Sequence, residues 1–192
     1  MINRTFFFDY IRHRLHFGRL SQKQVNGYTL LLDYWETNQL KDTRWLAYVL
    51  ATTYHETDKT IRPIAEYGKG KGREYGKRDP DTGQIYYGRG YVQLTWKENY
   101  SKYSDILGID LVNNPDLALD QNVATEILFH GMVNGIFTGK KLMDYFNANT
   151  SDWYNARKIV NGNDKKFIIG DYGKEFFAAI SFDFIANTDS LA

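Results

Sequence analysis

The chain has 192 residues, 43% of them apolar and 24% charged, with a formal net charge of +1. That suits one compact domain with a real apolar core and excludes a disordered chain. So small a net charge supplies no global field for nucleic acid, and the lack of cysteine excludes disulfide staples and thiolate metal sites.

The opening, MINRTFFFDYIRHRLHF, holds only a three-residue Phe run before Asp9. That is too short for a signal-peptide core or a membrane span, so we expect no secretory address and no stable membrane association. With no disulfides, folding in a reducing cytoplasm is expected. His13 and His16 would lie one helical turn apart but have no third ligand nearby, so no metal or other cofactor is expected.

Ser21 followed by Gln24 reads as a capping box, and Val25, Tyr28, Leu32 and Trp35 recur at helical steps, predicting a helix over 22–37. Asp42 or Thr43 can cap the next helix, in which Ala47, Leu50, Ala51 and Tyr54 share a face and which runs to His55 and Glu56. From 67 to 83 the pattern collapses into YGKGKGREYGKRDPDTG, a loop. It lacks the Gly-Lys-Ser/Thr of a phosphate loop. The run GQIYYGRGYVQLTW predicts a brief extended segment or hairpin.

After Pro115 the helical period returns in Ala124, Ile127, Leu128 and Gly131. Ser151 can cap a short helix carrying Ala156, Ile159 and Val160 that stops at Gly162. A last helix over 166–185 should bury Ile169, Tyr172, Phe176, Ile180 and Phe184. His55 and His130 read as hydrogen-bonded interior groups. The architecture is mainly helical, with one small extended insertion. Aromatics, 15 Tyr, 12 Phe and 4 Trp, suffice for a ring-rich core and for faces that pack against the C–H sides of sugar rings.

Among the 23 acidic residues, Glu56 is distinguished by its place after an apolar helix face and near a helix end. The negative end of the helix dipole and a dry wall both disfavour a carboxylate and so raise its pKa, as a general acid requires. Taken alone, a Glu at a helix end is more often simply solvated.

The strings YHET at 54–57, YYGRGYVQLTWKENY at 86–100, NNPDLA at 113–118 and ARKIVNG at 156–162 resemble, in the same order, the motifs of glycoside hydrolase family 19, which includes chitinases and bacteriophage endolysins. The N-terminal stretch IRHRLHFGRLSQKQVNGYTLLLDYWE resembles the endolysin branch rather than plant chitinases. The resemblance implies a lysozyme-like α+β fold, mainly α, in which a helical domain and a small extended insertion flank a substrate cleft. It implies a single catalytic domain over 1–192, in which 57–100 can form a small lobe, and no separate wall-binding domain.

Carried over by residue, the resemblance makes Glu56 the general acid and Glu66 the general base, with Glu74 a rival for the second role. Thr95 would orient the attacking water, in a single inverting displacement. Asn99, Arg157 and Asn161 would contact the sugar or hold the carboxylates, and an Arg beside a base would keep it ionised. Tyr86, Tyr87, Arg89 and Gln93 would line the cleft; from the residues alone, a packed turn tied down by Arg89 is an equal reading.

The substrate implied is peptidoglycan, cut between N-acetylmuramic acid and N-acetylglucosamine after release from a bacterial host cytoplasm, by a monomer without nucleic-acid partners. Chitin hydrolysis, or a wall-binding module without catalysis, are the alternatives. The basic run Lys69, Lys71, Arg73, Lys77 and Arg78 would suit anionic wall polymer.

Overall fold

A computed structural model describes residues 1–181; Phe184 and Ile185, expected at the end of the last helix, lie outside the described residues. Helix α1 (Arg4–Arg14) starts where Asn3 Oδ1 accepts from Phe6 N at 3.1 Å, and buries Phe7, Ile11 and then Leu15, four residues apart. In the sequence the Phe6–Phe8 run masks that period. Helix α2 (Gln22–Thr37) has the expected capping box at Ser21 and Gln24. Helix α3 (Thr43–Glu56) is capped by Asp42, whose side chain accepts from Arg44 N. Every side chain from Leu46 to Tyr54 in it is buried, which makes α3 the central rod of the large apolar cluster.

Beyond α3 the chain forms a two-residue strand, β1 (Ile64–Ala65), antiparallel to β2 (Arg89–Gly90) with Ile64 opposite Gly90. The expected extended run thus finds its partner just after α3. It also turns back on itself, since Arg89 and Leu94 exchange backbone bonds of 3.2 and 2.8 Å. Helix α4 (Lys97–Leu107) follows, burying Tyr100 and Tyr103. Trp96 precedes it with no side-chain cap, so the sequence carries no start signal for it.

A second apolar cluster gathers Tyr86, Leu94, Tyr100, Tyr103, Leu111, Ala118 and Ile127. Helix α5 (Gln121–Asn134) joins the two cores, placing Ile127 in the small one and Leu128 and Phe129 in the large one.

Helix α6 (Leu142–Tyr145) leads into a hairpin of β3 (Phe146–Asn147) and β4 (Thr150–Ser151). Here the expected Ser151 cap is corrected. Ser151 is held in the hairpin, its Oγ accepting from Arg44 Nη1 at 2.6 Å, and Asp152 starts the next turn by accepting from Asn155 N at 3.0 Å. That turn is 3-10, over Asn155–Ile159. Helix α7 (Lys166–Ile180) packs on α3 and α1. Gly173 permits this approach, because a Cβ there would stand 2.8 Å from the Trp153 ring. Ile169, Phe176 and Ile180 are buried as expected, whereas Tyr172 is half-buried, edge-on to Tyr54. No helix of the described residues is long and apolar enough to cross a membrane.

One histidine differs from expectation in detail. His130 packs edge-on to Tyr103, and its Nδ1 has no hydrogen-bond partner among the described residues. His16 is 7% exposed, with Nε2 2.8 Å from Tyr28 Oη and Nδ1 3.1 Å from Gln24 Nε2. Burial first, and then the charge of Lys59, lower its pKa to about 4.

The unfolded chain therefore binds a proton at His16 that the folded chain resists, over the window from the ordinary value of ~6.5 down to about 4. The stability held by the neutral ring is complete above that window and is lost as pH falls through it. We expect His16→Gln to flatten the decline of the urea midpoint across this range. The His16 ring, followed by NMR, should stay neutral where a solvated imidazole is half-protonated; a normal titration would refute the assignment.

Candidate active site

Glu56 ends α3, and its side chain is 18% exposed. Oε1 accepts from Arg157 Nη1 at 2.5 Å, and Oε2 has no hydrogen bond among the described residues. The Arg157 side chain is only 4% exposed and also donates from Nε to Asp164 O at 3.1 Å. A buried guanidinium requires a counter-charge, and here it meets one 101 residues away in the chain. The guanidinium expected beside a base thus sits on Glu56. Next to the pair, His55 is half-buried, and burial chiefly lowers its pKa.

Glu66 follows β1 directly and is held at three points. Its N donates to Gly88 O at 2.8 Å, Oε2 accepts from Gly88 N at 3.3 Å, and Oε1 accepts from Tyr75 Oη at 3.0 Å. Burial first, then the bond to Glu66, push the Tyr75 hydroxyl pKa up. Glu74, the rival, is 72% exposed and paired with Lys77 at 2.7 Å, and lacks the backbone and hydroxyl clamp that holds Glu66.

Gln93, Thr95, Asn99 and Val160 line one small cavity of about 140 Å³. Gln93 Nε2 donates to Ile64 O at 3.1 Å, which ties this wall to the strand before Glu66. Asn99 Nδ2 donates to Thr95 O at 2.8 Å, whereas Thr95 Oγ1 makes no hydrogen bond among the described residues. Asn161 is exposed; its N donates to Arg157 O at 3.0 Å and its Oδ1 accepts from Gly162 N at 2.8 Å. The Arg157 segment thus supplies both the partner of Glu56 and one wall of the Thr95 cavity.

Tyr86, Tyr87 and Arg89 make framework contacts. Arg89 is 4% exposed; its Nε donates to Asp116 at 2.7 Å, and its Nη1 donates to Ile85 O, Tyr87 O and Tyr100 Oη. Its guanidinium lies 3.5 Å from the centre of the Tyr87 ring. Tyr86 Oη bonds Val112 O at 3.0 Å and Thr82 Oγ1 at 2.8 Å. Sequence reasoning missed Tyr75 and Gly88, the two residues that grip Glu66; both lie in aperiodic sequence.

Residues 41–134 match the model of glycoside hydrolase family 19, described as chitinase class I. Over that stretch the chain is similar to the family 19 chitinases. The matched stretch contains Glu56, Glu66 and Thr95, while Arg157 and Asn161 lie outside it.

Curated relatives include Endochitinase 2 of Gossypium hirsutum, 37% identical over 95 residues, which are 42% of this chain and 32% of that one. Chitinase 11 of Oryza sativa subsp. japonica is 69% identical over 32 residues, 17% of this chain and 12% of that one. Inactive chitinase-like protein 1 of Hevea brasiliensis is 51% identical over 41 residues, 21% and 13% of the two chains. The chain thus spans between 12% and 32% of the length of these relatives. The crystal structure of chitinase C from Streptomyces griseus HUT6037 superposes with a TM-score of 0.63 at 21% identity, covering 93% of this chain and 76% of that one. The mainly helical fold is that of the family 19 chitinases.

Removing one partner of a buried ion pair strands the other, at a cost of about 3 kcal/mol or more. We therefore expect Arg157→Met to lower the unfolding free energy by about 3 kcal/mol, and Glu56→Gln in the same chain to restore part of it. Denaturant titration of the single and double variants measures this; an Arg157→Met cost below about 1 kcal/mol, the range of exposed pairs, would show that the pair does not support the fold.

Proposed function

We propose that the chain hydrolyses the β-1,4 bond between N-acetylmuramic acid and N-acetylglucosamine in bacterial peptidoglycan. It would act as a monomeric endolysin made in a bacterial cytoplasm and released onto the wall. The observation that carries a hydrolytic reading is the pair of glutamates on separate supports. Glu56 is fixed through Oε1 by Arg157, leaving Oε2 open to a ligand, and Glu66 is clamped by Gly88 and Tyr75.

In this mechanism a proton borne on Glu56 Oε2, the oxygen that Arg157 does not engage, passes to the leaving glycosidic oxygen while Glu66 takes one from a water. That water attacks the anomeric carbon from the opposite face, the C–O bond to the leaving sugar breaks, and the configuration inverts. Solvent then returns each glutamate to its starting protonation. The Thr95 hydroxyl, without a partner among the described residues, can accept from and donate to the water and so orient it.

Two features support peptidoglycan over neutral chitin: the endolysin-like N-terminal stretch and the basic loop that begins one residue after Glu66. Chitin is the second reading, because the curated relatives include named chitinases. A module that only binds would need neither clamped glutamate.

Zymography on embedded cell walls beside an assay on chitin oligomers separates the readings: clearing of the walls is expected, and clearing by neither assay would refute hydrolysis. Glu56→Gln should abolish turnover in a chain that is less stable but still folded by circular dichroism, since an amide cannot protonate the leaving oxygen. Glu66→Gln should slow turnover by at least ~10²-fold, Thr95→Val by less, and Glu74→Gln by less than about tenfold. Should Glu74→Gln prove the more damaging glutamate change, the base would have to be reassigned. Proton NMR of a fresh digest should show the inverted anomer first; initial retention would refute the single displacement.

A further inference from the structure

The segment between Glu66 and Pro80 is electrostatically unlike the rest of the chain. Residues 67–78 carry five cations and one carboxylate, a charge of +4, so the other 180 residues sum to −3. Lys77 is paired with Glu74, and Arg78 donates to Gly83 O. Lys69, Lys71 and Arg73 are exposed and, among the described residues, make no ion pair or hydrogen bond through their side chains.

The loop that presents them is built. Lys69 N donates to Glu66 O at 2.9 Å, Lys71 N to Gly68 O at 2.8 Å and Arg73 N to Gly70 O at 2.9 Å, one turn after another. Gly70, at φ +73°, lies against Gly76 so closely that a Cβ on Gly76 would stand 1.8 Å from Gly70 O. Both ends of the loop close on Glu66, through that Lys69 bond at one end and the Tyr75 hydroxyl at the other.

Aromatic faces flank the cations. Tyr67 is 91% exposed, and Trp96 is 46% exposed, with its ring edge-on to Tyr75 at 5.5 Å. Trp96 holds φ +73° with ψ 137°, a backbone state that side-chain-bearing residues rarely adopt and that recurs where ligands are gripped.

We infer that loop 67–78 is an anion-recognition site for the carboxylates of a peptide-substituted glycan, next to Glu66, and that it discriminates such a strand from a neutral one. This rests on the peptidoglycan reading above. Ammonium and guanidinium groups make charge-assisted bonds to carboxylates, and exposed aromatic faces pack on sugar rings. A local positive field on an otherwise negative chain draws an anionic polymer to this loop, with a strength that falls as salt rises.

The test measures binding in a Glu56→Gln chain, so that turnover does not intervene. Cosedimentation compares purified sacculi, stripped of phosphate polymers, with chitin particles at low and high salt. Lys69→Gln, Lys71→Gln and Arg73→Gln together should lower the sacculus-to-chitin affinity ratio by at least about threefold at low salt, the lower bound for three exposed charge contacts. That difference should vanish at high salt. The charge-preserving set Lys69→Arg, Lys71→Arg and Arg73→Lys should keep the ratio.

An unchanged ratio, or equal loss on both polymers, would overturn the inference. So would charge-dependent binding confined to unstripped sacculi, which would assign the loop to phosphate instead. Absence of wall hydrolysis by the parent chain would refute the proposed function separately, while a charge-dependent binding ratio would still uphold the loop as an anion site.

Discussion

The Arg157 guanidinium is buried, and a buried positive charge has to be neutralised where it stands. Glu56 does this from the end of α3, so one ion pair joins the most buried helix of the protein to a 3-10 turn a hundred residues later. The location of everything near it follows. The turn brings Val160 to the wall of the Thr95 cavity and leaves Asn161 exposed. The proposed acid is thus held by the same chain segment that lines the Thr95 cavity.

The surroundings of Glu66 are organised by backbone rather than charge. Gly88 both accepts from and donates to Glu66, and a Cβ at Gly88 would stand 2.8 Å from Gln93 Oε1, so glycine is needed for Gln93 to reach Ile64. Arg89 stabilises the turn below by gathering the carbonyls of Ile85 and Tyr87, the Tyr100 hydroxyl and Asp116 around one guanidinium. Two anchoring arginines therefore differ in kind: Arg157 engages a glutamate of the cleft, whereas Arg89 supports the segment on which the other glutamate leans.

Much of the fold was legible where caps and period agreed. Ser21 with Gln24 and Asp42 before an apolar face located α2 and α3, because those side chains satisfy helix-end donors directly. Helix α4 was not legible, since Trp96 offers no cap and the ordered motif around it obscures the spacing of Tyr100, Tyr103 and Leu107. Ser151 was misread because a capping residue type says nothing of an arginine across the fold that claims its hydroxyl. In the site, the position of Glu56 at a helix end was readable, but its partner was not: an ion pair spanning 101 residues leaves no local signature. Glu66 came from resemblance, and Tyr75, which holds it, lies in a stretch without period. The relative named as inactive shows why local identity cannot replace this geometry.

The glycine-closed loop also bears on how such a protein can be altered. Gly70 and Gly76 define its shape by close backbone contact, whereas Lys69, Lys71 and Arg73 project from it without supporting any neighbour. Shape and charge are therefore separable there, and the loop behaves as an interchangeable cassette. A protein engineer could rewrite its tip for a different polymer while the glycines, and the glutamate they adjoin, stay as they are.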